Sequence, residues 1–229
     1  MMRFEIVAVG AVLLACLTGC GPQGRENAAT QRSPENPREQ QPGEDNATHY
    51  RVNPEKSRFT AHVGVGGLLA AAGHPHTVAI RDFGGEVQLD GGKLESASLQ
   101  LTIKSESLGE VGKEFDEKDR QKVNQAVHGE ALETSKYPEI VFKGAAASVR
   151  QTGEGRYEAT MKGDLSLHGV TRQISFPVKV RRDNRSLHAT GEFTILHGDY
   201  HIKRLSAAGG TVKASDEIKL SFELQADAK

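Results

Sequence analysis

The stretch YEATMKGDLSLHGVTRQISFPVKV, residues 157–180, decides how the chain folds. From Tyr157 through Ala159, Met161, Gly163 and Leu165 to Leu167 the odd positions are apolar or small, while Glu158, Thr160, Lys162, Asp164 and Ser166 between them are polar. Beyond His168-Gly169 the alternation resumes, with Ile174, Phe176, Val178 and Val180 set against Gln173, Ser175 and Lys179. A period of two is the mark of an extended strand with one dry and one wet face, and a short turn between two such runs makes an antiparallel pair.

Working outward, Leu99, Leu101 and Ile103 alternate with Gln100, Thr102 and Lys104, and Ile218, Leu220, Phe222 and Leu224 with Lys219, Ser221, Glu223 and Gln225. Such runs predict eight strands, at 58–65, 76–90, 95–104, 139–149, 156–167, 170–181, 186–196 and 216–226. Turn sequences such as Asp90-Gly91-Gly92, Gly153-Glu154-Gly155 and Asp183-Asn184 separate them. Long amphipathic strands in succession suit an all-β, eight-stranded antiparallel barrel, because closure leaves no unpaired edge. The interior of such a barrel is just wide enough either to fill with side chains or to hold one slim ligand. Tryptophan is absent and aromatic residues make up 5% of the chain, so the dry face is mostly aliphatic. Parity turns Phe59, Ile80, Leu101, Phe142, Met161, Leu165, Phe176, Phe193, Leu220 and Phe222 inward as the candidate ligand wall. Gly191 is expected to leave space there, so that Gly191→Leu, like Met161→Phe, would narrow a tunnel.

One segment breaks the pattern. Asp116 to Glu133 is charged, lacks proline and places Val123, Ala126 and Val127 at helical spacing, which predicts an amphipathic helix ended or interrupted at His128-Gly129. A second short helix is expected at Gly67–Ala72. Both would cover an end of the barrel.

The N-terminal region has a different character. Residues 1–19 combine Arg3 with an apolar run from Ile6 to Leu17, the layout of an export signal. Leu17-Thr18-Gly19-Cys20 resembles the lipobox of bacterial lipoproteins, which implies cleavage before Cys20 and a lipid anchor on that cysteine. The other cysteine, Cys16, would leave with the signal, so the remainder has neither a disulfide nor a thiol to offer. From Gly21 to His49 there is no aromatic residue and no Val, Ile or Leu, the composition of a tether that cannot bury enough apolar surface to fold. As a coil it would reach on the order of 30 Å. The expected organisation is a signal at 1–19, a lipidated tether at 20–49 and a barrel at 50–229.

Two motifs within that barrel carry a resemblance to a known family. Tyr137-Pro138-Glu139-Ile140-Val141-Phe142, together with Gly163-Asp164-Leu165-Ser166-Leu167-His168-Gly169-Val170-Thr171-Arg172, is similar to the hallmarks of the YceI-like family, and the likeness runs from about Tyr50 to the C-terminus. It implies a lipocalin-like barrel with a helix over one side, whose tunnel holds a long isoprenoid or fatty chain. Where many members carry an Arg-Asp pair and a later His-Leu, this chain has Asp119-Arg120 and Val127-His128-Gly129.

No Gly-rich phosphate loop, G-x-S-x-G elbow or H-E-x-x-H helix is present, so the expectation is a binding protein of the bacterial envelope rather than an enzyme, with no cofactor. A net charge of −1 argues against a nucleic-acid partner. The basic run Lys179-Val180-Arg181-Arg182 reads as a solvated strand end, or more sharply as a phospholipid headgroup contact. Nine histidines leave a metal alternative open: His74 and His76, or His197 and His201, with Asp82 and Asp199 nearby, are residue types that bind transition metals. Strand ends are also where polar side chains belong, which makes a polar rim the plainer reading. A filled-core adaptor or stress protein is the third possibility.

Overall fold

The computed structural model describes residues 47–229. The signal, Cys20 and most of the expected tether lie outside the described residues. Twelve strands carry the fold: β1 (Ala47–Val52), β2 (Arg58–Gly66), β3 (His76–Ile80), β4 (Phe83–Asp90), β5 (Ala97–Lys104), β6 (Leu108–Glu110), β7 (Glu139–Gly153), β8 (Arg156–Leu167), β9 (Val170–Arg182), β10 (Ser186–Leu196), β11 (Ser206–Ala207) and β12 (Val212–Ala228). All pairings between them are antiparallel.

These strands build a closed barrel of eight staves. Three staves are broken, namely β1 with β2, β3 with β4, and β5 with β6; the other five are β7, β8, β9, β10 and β12. The ring closes because β12 pairs with β1 at one end, Val52 facing Ala226, and with β2 along the rest, Phe59 facing Phe222. The three breaks lie side by side. Pro54, which cannot donate to a ladder, opens a 3₁₀ turn over Pro54–Lys56. Arg81-Asp82 interrupts the next stave, and a 3₁₀ turn at Ser105–Ser107 the third.

The alternating runs therefore form the strands expected of them, while the short β6 and β11 fall outside every expected run. The run at 76–90 is bent in its middle, and Ala47, Thr48 and His49 belong to β1 rather than to a tether. These three residues are held by backbone pairing with Asp90, Leu89 and Gln88, and composition carries no trace of such pairing.

Register aligns the inward positions into rows. Leu101 faces Phe142, which faces Leu165; Met161 faces Phe176; Phe193 faces Leu220; and Phe222 faces Phe59, which faces Ile80. One end is plugged. Tyr50, Val52 and Leu89 are 2%, 2% and 0% exposed and pack below the last cavity-lining residues, Leu224 and Ala226.

The other end carries the helix. α1 (Glu117–Ala126) starts where expected, with the Asp116 carboxylate accepting from the Asp119 N–H at 2.8 Å as its N-cap. It continues into one wide turn, Val127–Ala131, closed by the Leu132 N–H on the Val127 carbonyl at 2.8 Å. Gly67–Ala72 forms a single 3₁₀ turn at Ala70–Ala72.

Candidate functional site: an apolar cavity open at one end

Inside the barrel lies a cavity of about 810 Å³. That size falls within the range of small-molecule pockets, roughly 300–1,000 Å³. All ten residues of the candidate ligand wall line it. Alternation alone brings them together, since every second residue of a stave faces the same interior.

A chain of phenylalanine rings crosses the wall at mid-height. Phe83 meets Phe59 at 4.9 Å between centroids, Phe59 meets Phe222 at 5.8 Å, and Phe222 meets Phe176 at 5.9 Å. Phe176 also packs on Phe142 at 5.5 Å and on Phe193 at 4.6 Å. These offset and edge-on arrangements are the favoured ones for aromatic pairs. Gly191 belongs to the same belt, but not as open space. A Cβ there would sit 2.6 Å from Phe222 Cζ and 2.8 Å from the Pro177 carbonyl oxygen. The expectation that Gly191→Leu would fit harmlessly into a tunnel is thus corrected: the missing side chain is what lets the edge of the Phe222 ring approach β10.

The mouth is framed by α1, by residues 66–74 and by residues 205–214. Val123, Ala126 and Val127 face the cavity, none of them fully buried, so the helix covers one side of the opening without sealing it. Lys122, Lys213, His74, His76 and His197 complete the lining there. The basic strand end at Lys179–Arg182 stands at the plugged end instead, where the Arg182 guanidinium donates to the Gly92 carbonyl at 2.6 Å.

His76 is tied down. Its Nδ1–H donates to Glu110 Oε2 at 2.8 Å, and its ring stacks on Phe115 at 4.9 Å with an 11° interplanar angle. Glu110 is 1% exposed, and its Oε1 accepts from the backbone N–H groups of Thr77 at 3.1 Å and Gly112 at 2.6 Å. A buried carboxylate surrounded by donors in this way is satisfied, which is the condition for keeping it there. The Glu110 N–H donates to Asn124 Oδ1 at 2.8 Å, so the same cluster fastens α1 to the barrel. Sequence reasoning missed Glu110 and Phe115: Glu110 ends the three-residue strand β6 and Phe115 lies in the loop before α1, both too short for a periodicity to mark.

His197 and His168 are also engaged. The His197 ring N lies 3.0 Å from the Asp216 carbonyl, and burial pushes its pKa below the usual histidine value. His168 has Nε2 2.9 Å from Glu133 Oε2 and Nδ1 3.1 Å from the Tyr200 carbonyl. His62, His74 and His201 are exposed, and Asp199 pairs with Arg172 at 3.5 Å. Among the described residues no three His, Cys, Asp or Glu side chains converge as a metal-ligand set.

The two sequence motifs meet beside this mouth. The Tyr137 ring lies 4.5 Å from that of His168, and a Cβ at Gly169 would come 2.6 Å from Tyr137 Cε1. Gly169 has φ +76°, a left-handed conformation, so both the turn and the tyrosine demand glycine there.

Comparison with known proteins agrees with this architecture. A UPF0312 protein of Pseudomonas putida (strain W619) is 32% identical over 96 residues, 42% of this chain and 44% of its own length. The matched stretch is thus less than half of that relative. A UPF0312 protein of Pseudomonas savastanoi pv. phaseolicola (strain 1448A / Race 6) is 34% identical over 149 residues, 62% of this chain and 70% of its own length. Among solved structures, BcnA of Burkholderia cenocepacia superposes with a TM-score of 0.56 at 21% identity, covering 76% of this chain and 98% of that one. A polyisoprenoid binding domain from Saccharophagus degradans gives a TM-score of 0.56 at 16% identity, covering 79% and 98%. At these identities the likeness to both structures is one of fold. Residues 50–226 match the YceI-like domain, well over half of the chain, and the chain belongs to the YceI-like family.

Proposed function

We propose that the barrel binds one long-chain lipid of the polyisoprenoid or fatty class, tail inward, as a carrier or sequestering protein rather than as an enzyme. The observation that carries this reading is the cavity: about 810 Å³, walled by aliphatic and phenylalanine side chains, with basic and imidazole groups confined to its mouth. An apolar space of this size has no polar partners to hold ordered water, and a hydrocarbon tail fills it at a gain proportional to the apolar area covered. Lys122, Lys213, His74 and His76 would then face the headgroup. The description of the Saccharophagus degradans domain as polyisoprenoid binding supports the same ligand class.

The test is mass spectrometry of an organic extract from natively purified protein, together with the Met161→Phe variant. Met161 lines the cavity and is only partly buried, so a larger ring there takes up ligand space. The expected result is a long-chain lipid from the wild type, a clear loss of it from Met161→Phe, and a cooperative melt retained in both. An extract without long-chain lipid, with Met161→Phe strongly destabilised, would mean that the interior is a filled core.

The N-terminal reading belongs to the same proposal. If Cys20 is lipidated and residues 21–46 tether the barrel to the bacterial envelope, the wild type will partition into detergent and Cys20→Ser will stay in the aqueous phase. An unmodified N-terminus at another residue would overturn it.

A further inference from the structure

At the mouth, the apolar wall of the cavity continues onto the outer surface. Residues 66–73, Gly-Gly-Leu-Leu-Ala-Ala-Ala-Gly, carry neither a charge nor a hydroxyl. Leu68 is 89% exposed and Leu69 50%. A single exposed leucine is ordinary, but two in sequence followed by three alanines form a patch that water solvates poorly. Beside it runs a second uncharged loop, residues 206–211, Ser-Ala-Ala-Gly-Gly-Thr.

The two loops are joined. The Leu69 N–H donates to the Thr211 carbonyl at 3.0 Å, and Gly67 packs so closely that a Cβ would sit 2.5 Å from the same oxygen. Leu69 and Ala72 from one loop and Ala207 and Ala208 from the other line the cavity. Rim and interior are thus one continuous apolar surface.

Cations flank this rim. The Arg204 guanidinium lies beside Gly66, 3.6 Å from where a Cβ would be, and its Nε–H donates to the Ala214 carbonyl at 2.8 Å. The Lys213 stem passes 3.6 Å from the Cβ position of Gly210. Among the described residues neither forms an ion pair with a carboxylate. An apolar tip between basic side chains is complementary to a bilayer surface, with acyl chains for the leucines and anionic headgroups for the cations.

We infer that residues 66–73, with 206–211 beside them, dock the barrel mouth onto a lipid bilayer containing anionic headgroups. The inference rests on the reading of the cavity as a lipid site. It adds a second, reversible membrane contact at the end where a tail would pass, so that the tail leaves one apolar phase and enters another with little exposure to water.

The absence of tryptophan supplies the probe. In the full chain carrying Cys20→Ser, Leu68→Trp introduces the sole indole, at a position exposed enough to leave the fold intact. Vesicles of phosphatidylcholine with phosphatidylglycerol are expected to shift its emission to the blue and to allow quenching by lipids brominated in the acyl chain. Pure phosphatidylcholine should give a weaker response. In sedimentation with the mixed vesicles, Leu68→Glu is expected to bind roughly tenfold less than Leu68 itself, the loss of one leucine from the lipid phase. Unchanged emission in every vesicle would overturn the inference. So would a blue shift that tracks protein concentration without vesicles, because a second copy of the chain would then be the occupant. Extracting lipid from the Leu68→Glu protein separates the two claims: tail binding persists if docking alone is wrong, and no lipid is found if the cavity reading is wrong.

Discussion

Phe176→Ala is expected to remove about 3–5 kcal/mol of folding stability. For a domain of this size that is roughly 10 °C in melting temperature. Phe176 is 6% exposed and touches Phe142, Phe193 and Phe222, so it joins three other staves at mid-height. Its truncation leaves a void that merges with the existing cavity, and the neighbouring rings cannot collapse into it without losing one another. Phe176→Leu keeps most of the volume and should fall between the two. Thermal denaturation of the three proteins measures the series, and an alanine variant within about 2 °C of the wild type would show that the ring chain does not bear on the fold.

The second large effect concerns a residue with no side chain. Gly163 on β8 pairs with Gly144 on β7, and a Cβ on Gly163 would lie closer than 3.0 Å to the Lys143 carbonyl oxygen and to Gly144 Cα. Both obstacles are backbone, which cannot swing aside as a side chain does. Gly163→Ala therefore has to force apart a pair of strands in a closed ring, and is expected to cost about 3 kcal/mol or more, at or above the usual range for overpacking. Gly84→Ala is the control: nothing lies within 4 Å of a Cβ there, and stability should change by less than about 0.5 kcal/mol. Equal effects from the two variants in a thermal melt would refute the close approach of β7 and β8.

What could be read in advance follows from which interactions are local. Side-chain parity is a property of each strand by itself, so all ten inward residues, from Phe59 to Phe222, could be assigned from alternation. The start of α1 was equally legible, because Asp116 caps a helix through its own next turn. Contacts made across the sequence were not. Ala47–His49 are strand only because β4 lies beside them, and Gly191 is crowded only because Phe222 arrives from β12. The buried Glu110 draws its donors from Thr77, Gly112 and His76, so its position makes sense only after two segments have met. The breaks at Arg81-Asp82 and Ser105–Ser107 did leave a mark: the inward residues change from even (Val78, Ile80) to odd (Phe83, Val87, Leu89) across the first, and from odd (Leu101, Ile103) to even (Leu108) across the second.

The sealed end formed by Tyr50, Val52 and Leu89 makes the barrel a dead end. Under the function proposed above, whatever portion of a guest goes in first comes out last, through the same door, and loading and unloading share one place. A dead end is also a gauge. A tail shorter than the depth of the bore would draw its headgroup below the charged lip and leave those charges without partners; one that is too long would hold the headgroup outside. Only tails matched to the bore let both ends be satisfied together, and the position of the floor becomes the setting of the gauge.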